Sequence, residues 1–455
     1  MSGKQSCRAK VSIQSAVQAK IRPSIAFQQV DLQTIAQHMY SLMLRNIASD
    51  GFIFTDPCNS QSFSSPGCVL AAPSFPANTP GVDQDYVFNW VRDAAITAME
   101  ISAANLPARP GGAVQPLIDY VLFAQTCQNN AQPTMGHACF TIGGQPRPWT
   151  EQNDGPALQT VAILQAYSQL DAPTQAIAKT VIVNNVNYLL GVYQNPTTNL
   201  WEEHSGLTFF AQSAQLRCFQ AIQANAIGIA VPPATAAAIA WLQTALASHW
   251  NGSIYVSLLP PPTPGYDPNI DIVSASLYGA VPCTDTKLLA TAARLRSQWA
   301  DNNSQFQYPI NAADQALGIG PLLGRYPGDT YDGDMADNVV GRHPWALCTC
   351  NLAELYYNLA NAIAQSNGVP LDPLSTPFFS QIGVDGNTTP AAAVAALQSA
   401  GDAMLRAVIY HSDNLELSEQ FDGISGFEKS VKNLTWSYAA FLSAVRAKTG
   451  QSVKG

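Results

Sequence analysis

Charged side chains are scarce in this chain of 455 residues: Asp, Glu, Lys and Arg together make up 12%. Disordered chains carry more charge and less apolar content. With 47% hydrophobic residues, this chain can instead bury a large core. Positive charge is the scarcer sign. The 22 Lys and Arg against 31 Asp and Glu leave a net charge of −9, which disfavours nucleic acid or an anionic membrane as a partner. No apolar run approaches the roughly 18–20 residues of a membrane span. Residues Met1 to Ile25 spread Lys4, Arg8, Lys10, Lys20 and Arg22 among polar residues, without the apolar stretch of a signal peptide. The six histidines and nine cysteines show no zinc-site spacing.

Nine cysteines cannot all pair with one another. Cys58 and Cys68 flank a Ser/Pro/Gly loop, and Cys127 and Cys139 flank an Asn/Gln/Gly loop. Both spacings suit a disulfide closing a surface loop. Cys348 and Cys350 lie in an apolar helical pattern and read as buried thiols.

Helical periodicity recurs from end to end, in stretches such as 31–47, 90–104, 116–127, 155–170, 173–193 and 208–224. Further stretches cover 233–249, 286–301, 345–365, 390–409 and 433–448. Roughly a dozen helices with little strand alternation predict an all-α chain. Irregular spacing without a sequence repeat disfavours a solenoid, which leaves a closed ring of helical hairpins. Residues 1–30 read as an N-terminal extension and 31–455 as one domain, with no Ser/Thr- or Pro-rich linker to a second module. Long loops such as Tyr326 to Pro344 are of a length that usually carries function.

Two acidic clusters stand out. Asn199 to Glu203 reads Asn-Leu-Trp-Glu-Glu, and Ser418 to Asp422 reads Ser-Glu-Gln-Phe-Asp. Only tertiary folding could bring them together. A carboxylic acid and a carboxylate facing one cavity are the groups that cleave a glycosidic bond, and Trp201 offers a flat apolar surface for a sugar ring.

Other segments fall in order around these two. They are Asp85-Tyr86 with Trp90 to Asp93, Gln152 to Leu158, Gly324 to Pro327 with Asp329 to Tyr331, Pro344-Trp345, and Leu434 to Ala439. In order and spacing, the chain from about Asp83 to Ala447 resembles glycoside hydrolase family 15. The resemblance implies an (α/α)6 barrel of six inner and six outer helices, with a pocket at one end. It implies an exo-acting, inverting glucoamylase that releases β-glucose from the non-reducing ends of starch or maltooligosaccharides. Glu202 would be the general acid and Glu419 the general base. Tyr86 would support the base, and Arg92, Asp93 and Arg325 would hold the first glucose. Trp90, Trp149, Trp201 and Trp345 would be sugar platforms, and Glu203 would bind and tune the acid. Asp154 reads either as a ligand or as a helix cap. An α-glucan is the expected partner. No cofactor and no metal are expected, and the enzyme is expected to be an exported monomer.

The acid must hold its proton, so its pKa is expected to be raised, with Glu203 beside it as the cause. The base must stay ionised. Three departures from the family pattern stand out. The Trp149 run is ordered Arg147-Pro148-Trp149, where the family has Trp-Gly-Arg-Pro. Gly328 replaces an acidic residue, and the loop Asp332 to His343 is long and acidic. The last two changes are expected where a second sugar binds, so the sequence leaves linkage and chain length open. Rival readings are another α-glucoside such as trehalose or dextran, a sugar epimerase or lyase on the same barrel, and a glucan-binding protein without turnover.

Overall fold

The computed structural model of the protein describes residues 31–56, 59–73, 86–104, 112–334 and 342–450. Among them run fourteen α-helices. In chain order these are α1 (Leu32–Leu44), α2 (Val91–Ala103), α3 (Gln115–Asn130), α4 (Asp154–Ala166) and α5 (Ala172–Val192). Then come α6 (Phe209–Ala224), α7 (Thr235–Ser248), α8 (Asp271–Leu277), α9 (Thr286–Ala300) and α10 (Pro309–Ala316). The last four are α11 (Ala346–Ser366), α12 (Thr376–Ser380), α13 (Pro390–His411) and α14 (Thr435–Thr449).

Packing sorts them into two rings. Helices α2, α4, α6, α8, α11 and α14 each pack on the next, and α14 returns to α2, so the inner ring closes. Each of α1, α3, α5, α7, α9 and α13 packs outside an inner helix. This is an (α/α)6 barrel, with short α10 and α12 added between hairpins. The sequence dictates the sorting. Inner helices are small or apolar all round, so both faces can be covered: α2 and α4 each bury eleven of thirteen residues. Outer α5 is apolar along one stripe and buries seven of its 21.

Helix α13 has the length and composition to cross a membrane, contrary to the reading that no run approaches a span. It nevertheless packs along α11 as an outer barrel helix. Its Asp402 accepts from the Tyr357 hydroxyl at 2.7 Å and from Lys448 at 2.6 Å.

The helix starts also differ between the rings. Asp31, Asp171, Asp285 and Thr389 cap the N-termini of α1, α5, α9 and α13 with side-chain oxygens. In the inner ring only α6 has such a cap, from Thr208. The other five begin without one. Their N–H groups and positive dipole ends point to one end of the barrel. Residues at the starts of α2, α11 and α14 line the cavity described below.

The expected loop disulfide at Cys127 and Cys139 is not formed. Both are free, buried thiols packed in apolar clusters around α3 and the strand Cys139–Phe140. Cys68 is also a free, buried thiol, and Cys58 lies outside the described residues. Cys348 and Cys350 are buried thiols, as expected. Residues 1–30, Asp85 and Asp337 lie outside the described residues.

Candidate active site

A cavity of about 460 Å³ opens at the N-terminal end of the inner ring. Tyr86, Trp90, Arg92, Asp93, Trp149, Trp201, Glu202, Glu203, Arg325, Trp345 and Glu419 all line it. Every expected site residue is therefore there except Asp154. That residue is the first of α4, caps nothing, and does not line the cavity. Its carboxylate instead pairs with Arg92 at 3.1 Å. Arg92 also donates to Gln152 at 2.9 Å. Asp154 is therefore not a helix cap; its buried carboxylate compensates an arginine whose isolated burial would be costly.

Glu202 sits in the turn of a hairpin whose strands are Thr197–Thr198 and Ser205–Thr208. Asn199 organises this turn. Its side-chain oxygen accepts from the Glu203 and His204 N–H groups at 2.9 and 3.1 Å, and its carbonyl accepts from Glu202 N at 3.0 Å. The turn forces Glu202 into the left-handed region at φ 64°, an unfavourable conformation for a residue with a Cβ. Two indoles then grip the carboxylate: Trp90 Nε1 donates to Oε1 and Trp149 Nε1 to Oε2, each at 2.7 Å. Trp201 is turned inward, with its Nε1 donating to Asn269 at 3.0 Å and its ring stacked at 6.5 Å from Trp436.

Glu419 enters from another hairpin, Gln420–Phe421 with Glu428–Lys429. Tyr86 Oη donates to its Oε1 at 3.0 Å and Ser430 Oγ to its Oε2 at 2.5 Å. Tyr331 stands 3.2 Å from Tyr86. Burial pushes the Glu419 carboxyl up to about 7, while the hydrogen bonds from Ser430 and Tyr86 and the charge of Arg325 pull the other way. The sequence reading placed a raised pKa on the acid, with Glu203 as its cause. Glu203 is otherwise occupied: its Oε1 pairs with Arg325 at 2.8 Å, and its Oε2 accepts from Tyr326 at 2.9 Å.

Arg325 is held from every side. Asp329 takes Nε and Nη2 at 2.8 and 2.6 Å. Trp201, Tyr326, Tyr331 and Trp345 lie with ring centroids 4.9–5.4 Å from its Cζ. Burial disfavours the charge, but Asp329 and Glu203 hold the guanidinium well above its ordinary pKa. Asp93 is raised to about 6, first by burial, against the charge of Arg92.

Three cavity atoms are buried without an ordinary hydrogen bond: Trp345 Nε1, and Arg92 Nε and Asp93 Oδ2, which meet only each other in a long ion pair at 3.5 Å. Buried polar atoms are normally satisfied. Two donors and an acceptor converging on one cavity suit a ligand that offers hydroxyls, each both donor and acceptor.

The described part of the long acidic loop is held by ion pairs. Its Asp332 pairs with His343 at 3.1 Å and with Lys429 at 2.9 Å, and Asp334 pairs with Lys429 at 2.9 Å. The described part of the loop thus supports the hairpin that carries Glu419. No cluster of three metal-ligand side chains occurs among the described residues. At Gly328, the departure from the family has a steric cause. Its N–H donates to Gly265 O at 2.8 Å, and a Cβ there would meet that oxygen at 3.0 Å.

Ser430, Tyr331, Trp436 and Arg147 escaped the sequence reading as site residues. Tyr331 and Trp436 stood inside the quoted motifs. Nothing local marked Ser430, which reaches Glu419 only through the hairpin.

A barrel pocket holding two carboxyls, each set among side-chain donors, beside a buried Arg/Asp floor defines a glycoside hydrolase. The family model described as glycosyl hydrolases family 15 matches residues 39–446, and the chain belongs to that family. It is similar to a probable glucoamylase of Schizosaccharomyces pombe, 27% identical over 445 residues, covering 91% of this chain and 90% of that one. It is also similar to glucoamylase 1 of Rhizopus oryzae, 28% identical, covering 80% of this chain and 65% of that one. The solved glucoamylase of Saccharomycopsis fibuligera shares the fold, with a TM-score of 0.75 at 21% identity, covering 92% of this chain and 96% of that one.

Proposed function

We propose that the protein is an exo-acting, inverting α-glucosidase of the glucoamylase type. Its substrates are the non-reducing ends of starch-like α-glucans and maltooligosaccharides. The observation that carries this reading is the meeting of Glu202 and Glu419, far apart in the chain, in one cavity. Glu202 gives its proton to the leaving oxygen, and the indoles of Trp90 and Trp149 orient it and stabilise the carboxylate that remains once the proton has left. Glu419 removes a proton from the attacking water, and Tyr86 and Ser430 stabilise its charge. Arg92 and Asp93 bind hydroxyls of the first glucose through Nε and Oδ2, whose mutual ion pair is long at 3.5 Å. Arg325 and Glu203 form the wall beside them, with Trp345 as a platform. Attack by water from the side opposite the leaving group inverts the anomeric carbon.

Proton NMR of the first product from maltose tests the mechanism. β-Glucose is expected, and α-glucose would reject it. Replacing Glu202 or Glu419 by Gln should each lower kcat on maltose by about 100-fold or more. Undiminished turnover would leave a glucan-binding protein as the better reading. Rates on maltose, isomaltose and trehalose decide the linkage.

We further read residues 31–455 as one catalytic domain that works as a monomer and is exported to meet a polymeric substrate. One relative is named an intracellular sporulation-specific glucoamylase, from Saccharomyces cerevisiae. Sedimentation and fractionation of the source cells test these two points.

A further inference from the structure

Both indoles that hold Glu202 touch one cation. The Arg147 guanidinium carbon lies 4.4 Å from the Trp149 ring centroid and 5.8 Å from that of Trp90. On a third side Phe88 lies at 4.1 Å. Arg147 lines the same cavity, beside Trp149, which is 49% exposed and so stands at the mouth. A planar guanidinium stacks on aromatic faces as an ammonium does not. Without it, Trp149 is a half-exposed ring anchored chiefly through its own N–H bond to the carboxylate it is meant to orient.

We propose that Arg147 is a positioning residue for proton donation: it holds Trp149 and Trp90 against Glu202 and sets the wall on which the leaving sugar rests. This rests on the reading of Glu202 as the acid. A blind pocket binds the first glucose at its floor, so a side chain at the mouth meets only the part of the substrate that leaves. The role falls to an arginine that precedes the tryptophan in the chain.

The test compares two substrates of the intact chain. Maltose needs its leaving oxygen protonated and has a leaving sugar to bind. α-Glucosyl fluoride needs neither, because fluoride departs as an anion. Replacing Arg147 by Leu should lower kcat/KM for maltose by about tenfold or more relative to that for the fluoride. Arg147→Lys should fail to restore the ratio, since it returns the charge but not the plane. The Glu202→Gln variant, run in parallel, should shift the ratio further in the same direction. An Arg147→Leu ratio equal to that of the unmodified protein overturns the proposal. If Glu202→Gln lowers both substrates equally, the assignment of the acid fails instead. Thermal melting of each variant separates misfolding from misplacement: a variant that melts with the unmodified protein and shows the altered ratio supports the role.

Discussion

Ser430 is the sharpest place to probe the base. Its hydroxyl donates to Glu419 Oε2 at 2.5 Å, inside a buried site where the carboxyl is already raised to about 7. A hydrogen bond to a charged group contributes about 1.5–3 kcal/mol. Because this bond favours the ionised form, its loss raises the pKa further. At about 1.36 kcal/mol per pH unit, the Ser430→Ala change should move the carboxyl upward by about 1–2 units. The readout is the acidic limb of kcat/KM against pH on maltose, where the base must be ionised, and that limb should move toward alkaline pH by the same amount. Ser430 holds φ at 64°, a conformation that glycine adopts without strain. Ser430→Gly should therefore give the same limb shift while relieving backbone strain, which separates the lost bond from a damaged fold. An acidic limb that stays in place in both variants would refute the assignment of Glu419 as base or the importance of this bond.

Three further outcomes follow from the geometry. A Cβ on Gly333 would lie 1.9 Å from Ser430 Oγ, so Gly333→Ala should displace that hydroxyl and copy the alkaline shift in the pH profile. Replacing Arg325 by Leu leaves Asp329 and Glu203 facing each other without their cation. Breaking a buried pair costs about 3–5 kcal/mol, and chemical denaturation should show a loss of that order. Thermal stability should also depend on pH in a definite direction. Burial raises Asp93 and Asp267 to about 6, and Asp271, Glu354 and Glu419 to about 7. The folded state thus binds more protons than the unfolded chain between the unfolded values near 4 and these folded values. Stability from these groups is full below the unfolded pKa and is lost as pH rises through 6–7. Melting temperatures should fall from pH 5 to pH 8, and a rise over that range would contradict the assignment.

The sequence carried most of the ring. Periodicity marks eleven of the twelve barrel helices, because long helices with one or both faces apolar leave a regular trace. It missed α8, whose seven residues make too few turns to show a period. The candidate residues were legible because ten of the twelve named side chains sit in local motifs beside the starts of inner helices or in the two hairpins. Chain order alone could not separate a residue that lines the cavity from one behind it, as with Asp154, which pairs with Arg92. The expected disulfide failed for a related reason, since a spacing that permits a bridge does not tell whether each thiol faces its partner or an apolar cluster.

What the sequence determined by itself was therefore the inventory: helices, acidic pair, the arginines of the cavity and the order in which they are strung. The closed barrel decided the rest. It brought the hairpins of Glu202 and Glu419 to one cavity. It gave Glu203 to Arg325 rather than leaving it to tune its neighbour. It hung Ser430 on one carboxylate, and through two indoles tied Arg147 to the other. These pairings depend on distances across loops far apart in the chain, and the energy of a hydrogen bond or ion pair is set by those distances and by burial, neither of which is written in a linear order of residues.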